Sequence, residues 1–175
     1  MTNDYAVRWN LKKIAESVTK PVSCNRLSNI LKSAGAVLGK QTVINYVGYM
    51  MDSYMLFTLQ NYAAKLVEKE TSPKYYFMDT GLLGLMLMDC SSAQLENLVA
   101  IELIRRYGRE NVFYFEKNVE IDFYVPEEKL AIQVSLQVLD QIDTREREIG
   151  AFVKLKNFIG DATCLLITNS EEEEL

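Results

Sequence analysis

The side chains best suited to chemistry in this 175-residue chain are carboxylates, because histidine is absent altogether. Without His there is no Ser-His or Cys-His nucleophile and no imidazole base. Any catalysis would rest on acids holding a hard cation such as Mg²⁺. Two acids stand out by their setting, Glu96 and Asp122, with Gln133 and Ser135 placed to join them. Along 119–125, Val119, Ile121, Phe123 and Val125 alternate with Glu120, Asp122 and Tyr124. Along 130–137, Leu130, Ile132, Val134 and Leu136 alternate with Ala131, Gln133, Ser135 and Gln137. Because strand side chains point to opposite faces in turn, this pattern predicts two strands with Asp122, Gln133 and Ser135 on one polar face. The apolar sets would point the other way, into a core.

Glu96 falls on a predicted helix over 92–106, where its neighbours on the wheel are Ala100, Leu103 and Tyr107. Glu102 on the same helix stands three and four residues before Arg105 and Arg106, the spacing of a surface ion pair. A carboxylate set among apolar side chains is harder to explain by solvation, so Glu96 is the better ligand candidate. The plainer reading makes Glu96 an acid near a helix start, favoured there by the macrodipole. For Asp122 the plainer reading is a strand acid facing solvent or paired with a lysine.

The elements that must position these residues are the helix over 92–106, strands over 112–116, 119–125 and 130–137, a helix over 145–158 and a strand over 163–168. Ser91 and Gln94 suggest a capping box for the first helix, and Asp143 and Thr144 are cap candidates for the second. Leu95-Glu96-Asn97-Leu98-Val99, Glu120-Ile121-Asp122-Phe123 and Ile132-Gln133-Val134-Ser135, in an αβββαβ order, resemble the metal-dependent nuclease fold called PD-(D/E)XK. That fold takes an acid from its first helix, an Asp from its second strand and an (E/Q)-x-K from its third. The resemblance implies Glu96 and Asp122 as metal ligands and Gln133 as a weak third. Ser135 stands where the lysine belongs, so the resemblance implies a degenerate site. Losing that cation would cost on the order of 10²–10³ in rate, by analogy with removing one transition-state donor.

Upstream, Leu11, Ile14, Ala15 and Val18 follow helical spacing until Pro21, and Leu27, Ile30 and Leu31 mark a second helix closed by Gly35. A third helix opens near Lys40 with Val43, Ile44, Val47, Met50 and Met51. Apolar segments over 54–59 and 74–78 are expected to pair as a β-ribbon. Three short helices and a ribbon predict a winged helix over 10–80, ahead of the nuclease-like domain over 91–168 and an acidic tail over 169–175. Pro21-Val22-Ser23, Lys40-Gln41-Thr42-Val43 and above all Lys74-Tyr75-Tyr76-Phe77-Met78-Asp79-Thr80-Gly81-Leu82 are similar to the C-terminal region of bacterial and archaeal AAA+-like ATPases. The resemblance implies an ATPase domain upstream of a winged helix and a nuclease-like domain. Within that stretch, Asp79 reads most simply as a turn and cap residue ahead of Gly81.

Gly35-Ala36-Val37-Leu38-Gly39-Lys40-Gln41-Thr42 superficially suggests a P-loop. It has three residues between the glycines where four are needed, and Gln41 follows the lysine where Ser or Thr must hold Mg²⁺. A turn is the better reading, with no ATP site in this chain. On the third helix Lys40, Gln41, Thr42, Asn45 and Tyr46 are the candidates for nucleic-acid contact. Only one of them is cationic, which is thin for a strong DNA binder.

Composition bounds the alternatives. Half of the residues are hydrophobic and a quarter charged, enough for one large or two small packed domains. No run approaches the roughly 18 apolar residues of a membrane span, and no secretory signal opens the chain, so a cytoplasmic protein is expected. Cys24, Cys90 and Cys164 are odd in number and far apart, which suggests neither disulfides nor a zinc site. Residues 1–90 carry ten Lys or Arg against seven Asp or Glu, and residues 91–175 carry nine against seventeen. The second half is no basic nucleic-acid surface. The function expected is a non-catalytic interaction region of an AAA+-like ATPase that binds nucleic acid or a protein partner. It needs no cofactor; the alternative is an Mg²⁺-dependent nuclease using Glu96 and Asp122.

Overall fold

The computed structural model describes residues 2–33, 35, 39–65, 72–136 and 142–169, with side chains from residue 7 onward and, in the last helix, from residue 145. In chain order the elements are α1 (Thr2–Ala15), α2 (Cys24–Ser33), α3 (Lys40–Asp52), β1 (Leu56–Asn61), β2 (Lys74–Phe77), α4 (Gly81–Met86) and α5 (Ser91–Tyr107). A 3₁₀ turn at Arg109–Asn111 leads into β3 (Phe113–Glu116), β4 (Glu120–Val125), β5 (Leu130–Val134), α6 (Ile142–Ile159) and β6 (Thr163–Ile167). The first helix begins well before Leu11, where the apolar spacing starts. The short α4 was not expected at all. The acidic run over 171–174 and the end of the third predicted strand at Gln137 lie outside the described residues.

The strands form one mixed, mostly antiparallel six-stranded sheet in the order β2-β1-β3-β4-β5-β6. The expected ribbon is present, β1 pairing antiparallel with β2 from Leu56 opposite Phe77 to Leu59 opposite Lys74. β1 also pairs in parallel with β3, through Gln60 opposite Phe113 and Asn61 opposite Tyr114. The sheet therefore runs unbroken from the segment over 10–80 into the segment over 91–168. The core does the same: Ile14, Leu27, Leu31, Val43, Phe57, Tyr76, Phe77, Ala100, Phe123 and Ile132 belong to one buried cluster. A second cluster joins Phe115, Ile121, Tyr124 and Ala131 to Ala151, Phe152 and Leu155 of α6.

Strict alternation fails in β4. Three residue steps from Ile121 to Tyr124 oppose two from Phe115 to Phe113, so β4 carries one extra residue against β3. Such a bulge breaks the two-residue period. Ile121 consequently packs with α6 while Phe123 packs with Tyr76, their ring centroids 5.8 Å apart. The single apolar face expected for Val119, Ile121, Phe123 and Val125 is thereby divided between two cores. In β5 the expected pattern stands, with Leu130, Ile132 and Val134 against the first core and Ala131 against the second.

Local signals explain several element ends. The Ser23 Oγ accepts the Arg26 N–H at 3.1 Å, capping α2, whose Leu27 and Leu31 are fully buried one turn apart. The Asp79 Oδ1 accepts the Gly81 N–H at 2.7 Å, the turn that the sequence suggested. The capping box expected of Ser91 and Gln94 does not form. Cys90 stands at the N-cap with no side-chain hydrogen bond, and the Gln94 amide reaches instead toward the Thr80 carbonyl at 3.5 Å. Gln94 is drawn off by α4, an element the local pattern did not announce.

Candidate functional site

Glu96 and Asp122 do converge, and what brings them together is a lysine. Lys74 opens β2 and is wholly buried, an unusual position for an ammonium group. Its Nζ lies 3.2 Å from Glu120 Oε1, 3.6 Å from Asp122 Oδ1 and 3.8 Å from Glu96 Oε1. It also sits 5.4 Å from the centroid of the Tyr114 ring. These are ion pairs without an aligned hydrogen bond to any of the three acids. Burial alone would lower the Lys74 pKa, but Glu96, Asp122 and Glu120 together outweigh it and hold the amine above its ordinary value. Lys74 stays charged.

The acids are held from several sides. Tyr76, two residues along β2, donates its hydroxyl to Glu96 Oε1 at 2.8 Å. Asp122 Oδ2 accepts the Val134 N–H at 2.9 Å. Burial, then the Asp122 charge, push the Glu96 carboxyl up to about 7, against the opposing pull of Lys74 and Tyr76. Burial also raises Asp122, with Lys74 and the Val134 N–H pulling the other way and Glu120 and Glu148 adding to the rise. With one ammonium against three carboxylates the cluster stays net negative, and the raised Glu96 pKa lessens that excess without removing it.

Gln133 lines the same cleft, with both ends of its amide bonded to the β4 backbone. Its Oε1 accepts the Asp122 N–H at 2.8 Å and its Nε2 donates to the Glu120 carbonyl at 3.1 Å. The side chain thus extends the link between β5 and β4 beyond the last paired residues, Phe123 and Ile132, and its oxygen is already engaged by the Asp122 N–H. Ser135 takes no place in the cleft; its N–H donates to the Ile167 carbonyl at 3.0 Å, continuing the β5–β6 pairing. The polar face expected for Asp122, Gln133 and Ser135 therefore reduces to its first two members.

Asn97, the residue after Glu96, fixes the geometry. It is fully buried and grips both backbone groups of Phe77, accepting the N–H at 2.7 Å and donating to the carbonyl at 2.8 Å. β2 is an edge strand paired only with β1. The Asn97 amide acts as a short surrogate strand on its outer side, locking Lys74 and Tyr76 in register with α5.

Above the acids opens a cleft of 490 Å³, whose lining includes Glu96, Glu120, Asp122, Gln133 and Glu148. Thr19 and Lys20, from the link between α1 and α2, form one lip, and Arg147 and Lys154 of α6 form another. Thr19 has φ of 78°, an uncommon backbone for a β-branched residue. The Glu148 carboxylate is buried and paired with Arg147 at 2.6 Å. Lys74 does not line the cleft. It lies beneath the carboxylates, on the side away from the opening.

The nuclease resemblance implies Mg²⁺, and the donor set does not fit it. Mg²⁺ takes near-octahedral oxygen coordination at roughly 2.0–2.1 Å, with one or two carboxylates beside several waters. Here Gln133 is committed to backbone, Glu96 is partly protonated, and one oxygen of each of the three acids faces an ammonium. A dication about 4 Å from that ammonium would meet a repulsion on the order of 8 kcal/mol at an effective dielectric near 20. Among the described residues no group of three His, Cys, Asp or Glu side chains is arranged to hold a metal ion.

The second candidate surface is α3. Lys40, Gln41 and Asn45 are exposed, whereas Thr42 and Tyr46 are half-buried, Tyr46 packing on the core. Gln41 Nε2 donates to Asn45 Oδ1 at 3.1 Å, one turn on. The same outer face shows Ile44 and Tyr49, the latter 64% exposed.

Residues 6–94, just over half of the chain, match the family described as Domain of unknown function (DUF8612). The chain belongs to that family. The matching segment contains Lys74, Tyr76 and α3 but stops short of Glu96. Uncharacterized protein MJ1544 from Methanocaldococcus jannaschii is 33% identical over 137 residues, covering 76% of this chain and 31% of that protein. The chain thus spans about a third of the length of this curated relative. No solved structure matches the chain. Among the described residues no helix is long and apolar enough to cross a membrane.

The sequence reading missed Lys74, Tyr76, Glu120, Asn97 and Glu148 as members of the site. One signal was available for Lys74: a lone cation leading Tyr75, Tyr76 and Phe77 in a strand otherwise entirely apolar has no solvent face of its own.

Proposed function

We propose that this chain is a non-catalytic interaction region, a winged helix joined to a PD-(D/E)XK-like unit, that acts beside an AAA+-like P-loop ATPase domain. The observation that carries the first half is the placement of Lys74. A working hydrolytic site needs its cation in the cleft, where it can orient water and offset charge on the phosphate. Here the cation lies under the acids and holds them, while Gln133 is absorbed by the strand. The chain's span of about a third of its curated relative leaves room for the ATPase domain that the sequence resemblance implies.

The partner this reading favours is a protein. On α3, Lys40 is the one cation among the proposed contacts, and the outer face adds Ile44 and Tyr49. An exposed aromatic beside an aliphatic side chain suits a protein interface, whereas DNA affinity rests on several phosphate-neutralising cations. The test is to incubate the chain with Mg²⁺ or Mn²⁺ and single- and double-stranded DNA, and to follow labelled DNA by anisotropy as salt is varied. The expected result is neither cleavage nor saturable binding. Cleavage abolished by Asp122→Ala would establish the nuclease instead, and salt-dependent binding lost in Lys40→Gln would make DNA the partner.

A further inference from the structure

The two outer edges of the sheet differ. All four residues of β2 are buried, and Asn97 occupies the outer backbone groups of Phe77. At the other end β6 pairs, among the described strands, with β5 alone, and it is exposed or half-buried along its whole length. The Thr163 N–H donates to the Lys129 carbonyl and the Ile167 carbonyl accepts the Ser135 N–H, so the backbone groups of 163 and 167 face β5. By alternation those of Cys164 and Leu166 face outward. Edge strands are ordinarily guarded by a lysine, a proline or a bulge. Thr163-Cys164-Leu165-Leu166-Ile167 has neither charge nor proline, and it pairs with β5 without a register shift.

Beside this edge runs an apolar groove of 400 Å³, lined by Leu95, Leu98, Leu103 and Tyr107 of α5 and by Leu165 and Ile167 of β6. Leu98 is 55% and Leu165 44% exposed. Glu102 pairs with both Arg105 and Arg106, so α5 ends with one cation in excess. That end lies with the start of β6. A short turn leads from α5 to Phe113, and Phe113, Tyr124, Ala131 and Cys164 form one row across the sheet.

We propose that β6 is a homodimer interface, where two copies of this chain join β6 to β6 antiparallel about a two-fold axis at Leu165. Three observations make a second copy the occupant. In this register Cys164 stands opposite the partner's Leu166, so the outward N–H and carbonyl of each satisfy those of the other, while a second Leu165 is brought to the mouth of the groove. The chain beyond Ile167 then heads for the start of the partner's β6. That direction carries the sequence run Glu171-Glu172-Glu173-Glu174 toward the Arg105 and Arg106 end of the partner's α5, a charge match that an unrelated strand would not supply. With β2 closed, each copy has one open edge among the described strands, so association is isologous and stops at two. The interface lies apart from α3 and stands whichever partner α3 takes.

The test is sedimentation equilibrium of the full chain from low to high micromolar concentration, beside Leu165→Lys and Arg105→Gln combined with Arg106→Gln, with circular dichroism confirming that each variant is folded. The native chain is expected to approach twice the chain mass. Leu165→Lys, which sets like charges opposite each other on the axis, is expected to stay monomeric throughout. The double arginine variant is expected to dimerise severalfold more weakly and to lose the salt sensitivity of the native dimer. Register is read separately from Leu165→Cys under mild oxidation. Residues opposite each other in a pair without hydrogen bonds sit about 4.5 Å apart at Cα, within disulfide reach. A covalent dimer joined at position 165 is expected, with the native chain and its three cysteines unlinked as the control.

A native chain that stays monomeric overturns the proposal. Hydrogen exchange then tells which other occupant the edge has: protected Cys164 and Leu166 amides mean a segment of the same chain, and unprotected ones leave the edge to a different protein. A dimer that survives Leu165→Lys, or a folded Leu165→Cys chain that forms no link at 165, overturns it as well.

Discussion

Glu96 is the residue whose state the site can least afford to ignore, because its carboxyl titrates near neutrality while the unfolded chain releases the same proton near 4.5. Between those values the folded protein binds the extra proton, so this group's contribution to stability is complete below about pH 4.5 and is lost as pH rises through about 7. The loss is on the order of 3 kcal/mol at most, given the strong coupling to Asp122 and Lys74. Glu96→Gln keeps the Tyr76 hydroxyl partnered and removes the titration. In urea unfolding across this range, the native chain is expected to lose stability relative to Glu96→Gln as the pH rises. Parallel pH profiles would show that Glu96 is ionised throughout. Asp122 shifts in the same direction and steepens the trend in both proteins.

At the scale of elements, the contact that matters most is the Asn97 bridge between α5 and the backbone of β2. Asn97→Ala would leave the Phe77 N–H and carbonyl buried and unpaired on that side, and a loss of about 2–4 kcal/mol is expected in denaturant midpoint measurements. The Lys74 ion pairs should weaken with it, since β2 loses its fixed register. Asn97→Asp is no rescue, because a carboxylate cannot donate to the Phe77 carbonyl.

How far the elements were legible follows from the range of the physics involved. The strands, the turn at Asp79 and the pairing of Glu96 with Asp122 could be read from alternation, helical spacing and resemblance, all of them local patterns. The β4 bulge could not be read, since it is a register relation between two strands. Lys74 was hidden for a similar reason. It precedes Glu96 by a whole helix, and within its strand nothing marks it except an absence of other polar residues. Ser135, which the local pattern placed beside Asp122, lies past the end of β5 at Val134 and is not among the residues lining the cleft.

On the scale of the whole molecule, the parallel pairing of β1 with β3 and the shared core tie the helical half to the half that carries the acids. The chain is therefore expected to unfold as one cooperative unit. Trp9, the one tryptophan, packs from α1 against the common core and reports on the first half, while far-UV circular dichroism averages over both. The two thermal transitions should coincide. An early Trp9 transition with the dichroism still native would show instead that the halves melt separately.

The Thr19 lip has a further consequence. Its φ of 78° places a β-branched side chain where glycine is at ease. Thr19→Gly is expected to raise unfolding free energy by about 0.5–1 kcal/mol once relief of strain is set against the added freedom of the unfolded chain. The native sequence thus keeps a strained turn at the edge of the cleft at some cost in stability. Relaxing that turn should make the protein hardier while every carboxylate keeps its place.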